Sequence, residues 1–119
     1  MFNMSDIFGD VMGMKDDYKD RVVGNWISED GKSMVDTCEV YDGRKDYETA
    51  VQHPLYNDGE MVIVECYDDK EQALIGHEIW LALMQNDNLP PVLTDCANSE
   101  ISQMCRDMGN QMEFPRKEL

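Results

Sequence analysis

The chain is poor in positive charge. It has 119 residues, with 10 Lys and Arg against 25 Asp and Glu, and its formal net charge is −15. Proteins that bind nucleic acids use Lys and Arg to displace counterions from phosphates, and anionic membranes attract the same side chains. The shortage of basic residues therefore argues against direct binding to nucleic acid or to a membrane surface.

Long apolar runs and targeting signals are also missing. No apolar run approaches the roughly 20 residues that a membrane-spanning helix needs. The first residues lack the basic and apolar regions of a secretory signal peptide. We therefore expect a cytoplasmic setting, in which cysteines stay reduced. None of the four cysteines belongs to a C-x-x-C pair, and free thiols are expected at Cys38, Cys66, Cys96 and Cys105.

The common catalytic and metal-binding motifs are absent. There is no glycine-rich phosphate loop, no G-x-S-x-G, no H-E-x-x-H and no calcium-binding loop pattern. His53 and His77 are the only histidines, and with Cys38 or Cys66 they could hold zinc. No two of these ligands have local metal-binding spacing, so a buried structural histidine is the preferred interpretation. We predict no catalytic residue, no metal and no cofactor.

Three Asp-Gly pairs predict the turns of a β-meander, because tight hairpin turns need positive φ angles. The pairs are Asp30-Gly31, Asp42-Gly43 and Asp58-Gly59. The segments around them are rich in β-branched and aromatic residues, which favours strands. The predicted strands are residues 21–28, 32–41, 47–53 and 60–67. Short connections between consecutive strands indicate a four-stranded antiparallel sheet.

Helical patterns follow the sheet. A helix is predicted over 68–85, with Asp68 as N-cap and Glu71 at capping-box spacing. Its apolar face comprises residues that recur at helical spacing: Ala73, Gly76, His77, Trp80, Leu83 and Met84. Gly76 on this face predicts a close approach to the sheet. A second helix over 99–108 should end at Gly109, and the tail 114–119 should be loose.

We predict a single α+β domain over 1–119. It comprises an N-terminal segment (1–20), the antiparallel sheet (21–67) and a helical part (68–119). Both C-terminal helices should pack on one face of the sheet.

The N-terminal segment has apolar residues at helical spacing. Met4, Phe8, Val11 and Met12 lie at i, i+4, i+7 and i+8, which predicts a short amphipathic helix. It could fold back on its own sheet. It could also contact a partner or a second copy of the chain, because Met adapts to irregular surfaces. These four residues are the predicted oligomerisation contacts.

About half of the chain, from Val22 to Trp80, resembles a family of small uncharacterised proteins of bacteriophages and prophages. The resemblance lies in YETAVQHP at 47–54, YNDG at 56–59, MVIVE at 61–65 and GHE-x-W at 76–80. It implies a viral origin and a place in the host cytoplasm or in the virion. It implies no reaction.

Acidic residues dominate the middle of the chain. Seven of them lie between positions 46 and 69, where there is no Lys or Arg. Such a surface would steer association toward a basic partner. Tyr56 is expected to be exposed and to anchor an interface. The predicted partner contacts are Asp46, Glu48, Tyr56, Asp58, Glu60, Asp68 and Asp69.

Three functions remain open at this point. The first is a non-catalytic protein that inhibits or modulates a basic host protein, of defence or of nucleic-acid processing, through its acidic surface. The second is a virion structural or accessory protein that acts as a homo-oligomer. The third is a binder of a nucleotide immune signal, which would need converging cationic groups for phosphate.

Overall fold

The computed structural model describes residues 19–41, 44–96, 100–109 and 112–118. Four strands are followed by alternating helices and short strands. In chain order the elements are β1 (Val22–Ile27), β2 (Met34–Glu39), β3 (Tyr47–Gln52), β4 (Val62–Tyr67), α1 (Lys70–Gln85), β5 (Val92–Thr94), α2 (Glu100–Asp107) and β6 (Glu113–Pro115). The predicted α+β class is confirmed.

The first four strands form the predicted antiparallel meander, in the order β1-β2-β3-β4. Gly31 and Gly59 have φ angles of +74° and +82°, which explains a glycine at each turn. Before Gly59, Asn57 and Asp58 also have positive φ, and the three residues form one 3-10 turn. The Asp42-Gly43 pair lies outside the described residues, as does the predicted N-terminal helix with Met4, Phe8, Val11 and Met12.

The register of the strands decides which side chains face α1. Val35 pairs with Val51, and Thr37 pairs with Thr49. Side chains alternate between the two faces of a sheet, so these four residues share one face. Thr37 contacts His77 of α1, which identifies that face as the one under the helix.

Helix α1 lies across the sheet, and its N-cap lies one residue later than predicted. The side chain of Asp69, not Asp68, is the N-cap and accepts a hydrogen bond from the Gln72 N–H at 2.8 Å. The Gln72 side chain in turn accepts from the Asp68 N–H. The two bonds resemble a capping box shifted by one position, except that Gln72 accepts from the N–H of the residue before the N-cap. The buried residues of α1 are Ala73, Gly76, His77 and Met84, which confirms the predicted apolar face.

The predicted close approach at Gly76 is confirmed. A Cβ atom at this position would overlap the Tyr67 hydroxyl group. A second close approach occurs at Gly24 of β1, where a Cβ atom would lie 2.5 Å from His77 Nε2. Two glycines, one on each layer, therefore let α1 and the sheet come together over the Tyr67 and His77 side chains.

The core extends beyond the sheet and α1. Leu93 of β5 belongs to the central apolar cluster, and Phe114 of β6 packs against it. The strands β5 and β6 pair with each other as an antiparallel two-stranded sheet. The prediction of a loose tail at 114–119 is therefore wrong for its first residues, because burial of Phe114 fixes them.

The placement of the second helix also differs from the prediction. Helix α2 connects β5 to β6, and Gly109 ends it with a φ of +84°. Within the described ranges, α1 is the helix that packs extensively on the four-stranded sheet, and α2 makes no comparable contact. One helix and a small second sheet thus replace the two predicted helices on one face.

Candidate functional site

The predicted acidic contacts are divided between the two ends of the sheet. Asp46 precedes β3, while Asp68 and Asp69 follow β4, and the register pairs Tyr47 with both Glu39 and Tyr67. These acids therefore meet at one end of the sheet. We call this group the acidic end; it consists of Glu39, Asp46, Asp68 and Asp69.

Asp58 and Glu60 lie at the opposite end. They belong to the connection between Gln52 and Val62, beyond the far ends of β3 and β4. A six-residue strand is roughly 20 Å long, so this connection is well separated from the acidic end. Both side chains are exposed. The structure does not bring all of the predicted acids onto one surface.

Tyr47 lies among the residues of the acidic end, and their charges affect the pKa of its hydroxyl. Partial burial raises the pKa of the Tyr47 hydroxyl, and the charges of Glu39, Asp46 and Asp69 raise it further. Lys45 places its ammonium 3.9 Å from Asp68, but both side chains are largely exposed, so this pair contributes little to stability. The charges that shift the pKa of Tyr47 are those of carboxylates, although the Arg21 guanidinium also lies at this end and donates to the Glu39 carbonyl oxygen at 3.0 Å.

Glu48 lies near the same end but on the other face of the sheet. It pairs with Cys38 of β2 and Cys66 of β4, and all three side chains point away from α1. Burial raises the pKa of each of these thiols to about 12, and the Glu48 charge adds to the shift. Thiols of such high pKa carry little thiolate at neutral pH, so they react slowly as nucleophiles.

Tyr56 is buried, so its predicted role as an exposed interface anchor is wrong. Its side chain is 1% exposed and is part of the central core. The hydroxyl donates a hydrogen bond to the Pro90 carbonyl oxygen, which satisfies the polar end of the ring. The His53 ring contacts it edge-on, with centroids 5.6 Å apart. Tyr56 thus joins the β3–β4 connection to the segment before β5.

A chain of polar side chains runs between α1 and the sheet. His77 Nδ1 lies 2.8 Å from the Thr37 hydroxyl, which lies 2.6 Å from the Thr49 hydroxyl. The Thr49 hydroxyl lies 2.9 Å from that of Tyr67. All four residues are buried. Hydrogen bonding makes this burial tolerable, since an unpaired polar group in a core is costly.

Glu65 adjoins the Tyr67 end of this hydroxyl chain. Burial is the main cause that raises the pKa of the Tyr67 phenol, and the Glu65 charge raises it further. The Glu65 carboxylate accepts a bond from the Trp80 indole N–H at 2.8 Å. The donor order within the chain depends on the tautomer of His77. A proton on Nδ1 makes each threonine hydroxyl donate toward Tyr67.

The two histidines do not meet. His53 Nδ1 accepts the Leu55 N–H at 3.1 Å, whereas His77 contacts Thr37. Burial lowers the pKa of both rings, so both favour the neutral form. In the part of the chain that the structure describes, no cluster of three or more His, Cys, Asp or Glu side chains could hold a metal ion.

The hydroxyl chain is the feature that sequence reasoning missed. Helical spacing predicts that His77 lies on the buried face of α1, whereas Thr37 and Thr49 have the pattern of ordinary strand residues. The observed register of β2 and β3 pairs Thr37 with Thr49, as expected for a hairpin centred on the predicted Asp42-Gly43 turn. Counting outward from that turn would have placed two hydroxyls side by side on the inner face.

A shallow groove lies beside β6. Its volume is about 300 Å³, and its lining includes Leu55, Asp58, Phe114 and Lys117. Among the described residues that line it, Lys117 is the only cation, and it shares the groove with Asp58. The groove does not provide the several converging donors that a phosphate group needs.

No protein-family model, curated protein or solved structure matches this chain. None of the helices in the described segments has both the length and the apolar character needed to cross a bilayer.

Proposed function

We propose that the protein is a non-catalytic binding protein whose acidic end contacts a basic surface on a partner protein. The observation that carries this proposal is the convergence of Glu39, Asp46 and Asp69 around Tyr47. Asp46, Asp68 and Asp69 are exposed and can contact a partner. A negative field of this kind increases the rate of association with a basic surface.

The state of the reactive groups supports a binding role over catalysis. The pKa of Cys38 and of Cys66 is raised by burial to about 12. His77 is 7% exposed and contacts the Thr37 hydroxyl. These thiols and this imidazole are buried or half-buried within the fold, while the exposed carboxylates face solvent.

The resemblance to bacteriophage proteins suggests the source of the partner. A basic host protein of defence or of nucleic-acid processing would fit, because its nucleic-acid surface carries positive charge. Carboxylates at the acidic end would then lie where phosphates bind.

Charge reversal at each end of the sheet tests this proposal. The test variant is Asp46→Lys with Asp68→Lys. The control is Glu60→Lys with Asp87→Lys, which makes the same change in net charge at two exposed positions away from the acidic end. Asp69 is left unchanged because it caps α1.

The readout is affinity capture from bacterial lysate at low and high salt, with mass spectrometry of the bound proteins. A basic protein should bind the wild type and the control, be released by salt, and bind the test variant at least about tenfold more weakly. Equal binding by the test variant and the wild type would contradict the proposal. Equal losses in both variants would show that only total charge matters.

A further inference from the structure

Cys66 of β4 and Cys96, which follows β5, are in direct contact. The Cys66 thiol donates a hydrogen bond to the carbonyl oxygen of Cys96, with an Sγ–O distance of 2.9 Å. The Cys96 N–H donates to the Ile63 carbonyl oxygen at 2.7 Å. This second bond holds the Cys96 main chain against β4. One cysteine sulfur is therefore fixed beside the main chain of the other cysteine.

This arrangement suits a disulfide. A disulfide requires Cα atoms about 4.4–6.8 Å apart. One carbon atom separates the carbonyl oxygen of Cys96 from its Cα, so the hydrogen bond places the Cys66 sulfur within roughly 5 Å of the Cys96 Cα. To form the disulfide, the Cys66 thiol must leave the carbonyl oxygen and turn toward the Cys96 sulfur. Both residues are half-buried, which leaves an approach for a small reagent.

Arg106 of α2 lies close to both thiols. Burial is the largest influence on each thiol and raises the pKa of both. The Arg106 charge lowers both pKa values, against Glu48 at Cys66 and against Asp95 and Glu65 at Cys96. Arg106 Nη1 lies 3.8 Å from the Asp95 carboxylate, next to Cys96 in the chain. A cation at this position stabilises the thiolate that must form during exchange.

We propose that Cys66 and Cys96 are a redox modification site that closes to an intramolecular disulfide by exchange with a low-molecular-weight disulfide such as oxidised glutathione. The thiolate of one cysteine attacks a glutathione sulfur and releases one glutathione thiolate. The second cysteine loses its proton to solvent, attacks the mixed disulfide and releases the second glutathione. Two cysteine thiols lose two electrons in total, and one glutathione disulfide becomes two glutathione thiols.

The test uses the full chain with Cys105→Ser, because Cys105 is exposed and could link two molecules. The substitution also simplifies the tryptic map. Cleavage after Lys and Arg places Cys38 in peptide 33–44, Cys66 in 46–70 and Cys96 in 71–106. Incubation with oxidised glutathione is followed by non-reducing digestion and mass spectrometry.

The expected product is peptide 46–70 linked to 71–106 with the loss of two hydrogen atoms, while Cys38 stays free. Cys38 is the internal control, since its thiol is also half-buried with a pKa of about 12. A link through Cys38, or Cys66 and Cys96 that both remain free or stop at separate glutathione adducts, would overturn the proposal.

A second variant separates ring closure from simple reactivity. Cys66→Ser combined with Cys105→Ser should stop at a glutathione adduct on Cys96, because no second thiol can displace the glutathione. The oxidised Cys105→Ser protein should also melt at a higher temperature than its reduced form, because the cross-link closes the loop from 66 to 96. A lower melting temperature after oxidation would show that the native geometry does not accommodate the bond.

Discussion

His77 shows how one buried side chain can make the whole fold depend on pH. Burial lowers its pKa, against smaller opposing effects of Glu78 and Asp36. The native state therefore binds fewer protons than the unfolded chain, in which a histidine has a pKa of about 6.5. The stability that depends on neutral His77 should therefore be fully retained above that pH. The free energy of unfolding should decrease as the pH falls below it.

Urea unfolding at a series of pH values from 8 to 5 checks this prediction. His77→Asn retains a polar group near Thr37 and should show a weaker pH dependence than the wild type over this range. His53→Asn is the comparison variant, because burial also lowers the pKa of His53. It measures how much the other histidine contributes to the same pH dependence. An unchanged slope in the His77 variant would assign the pH dependence to other groups.

At the residue scale, the sequence predicts burial patterns better than it predicts polar contacts. The helical spacing of Gly76, His77 and Met84 predicted their common face, and the structure confirms it. Tyr56 was misplaced because it follows Pro54 in a turn-rich segment, where side chains are usually exposed. Its burial depends on Pro90, which lies 34 residues away along the chain. No local pattern contains that contact.

The start of α1 offers a test at the scale of an element. Asp69→Ala should lower the free energy of unfolding by about 1 kcal/mol, because it removes the bond to the Gln72 N–H. Asp69→Asn should cost less, because the amide oxygen can still accept this bond. Chemical denaturation of the purified variants measures both effects.

Asp68→Ala is the matched control for the cap. It removes the same charge one position earlier but leaves the cap in place, so its effect should stay within about 0.5 kcal/mol. A larger loss from Asp68→Ala than from Asp69→Ala would show that Asp68 is the cap, as the sequence first suggested.

Among the elements, the long ones were predictable and the short ones were not. The four strands and α1 have clear periodic patterns and turn signals, and their predicted bounds differ from the observed ones by at most two residues. β5 and β6 have three residues each and are separated by α2. Their pairing follows from the packing of Leu93 and Phe114 in the core, which is a tertiary effect that local patterns do not reveal.

For the whole molecule, the charge of −15 should oppose folding through mutual repulsion of carboxylates. Sodium chloride screens exposed charges, and the screening length falls to about 10 Å at 0.1 M salt. We therefore expect the melting temperature to rise by a few degrees as sodium chloride is added at neutral pH. Differential scanning calorimetry measures this change, and a falling melting temperature would show that attractive ion pairs outweigh the repulsion.

The distribution of the acids required the tertiary structure. The sequence predicted their number and their grouping along the chain, but residues that are near in sequence can lie at opposite ends of a strand. Asp46 and Asp58 precede and follow β3, so the strand itself separates them. Glu39, which was not among the predicted contacts, joins the acidic end through its pairing with Tyr47.

The contact between Gly76 and Tyr67 also constrains how this protein can change during evolution. A methyl group at position 76 would overlap the phenol ring, so alanine becomes acceptable there only after a smaller side chain replaces Tyr67. That replacement would remove the hydroxyl next to Thr49. The two positions should therefore covary in related sequences, and a chain that loses the glycine should also show changes at the threonine pair.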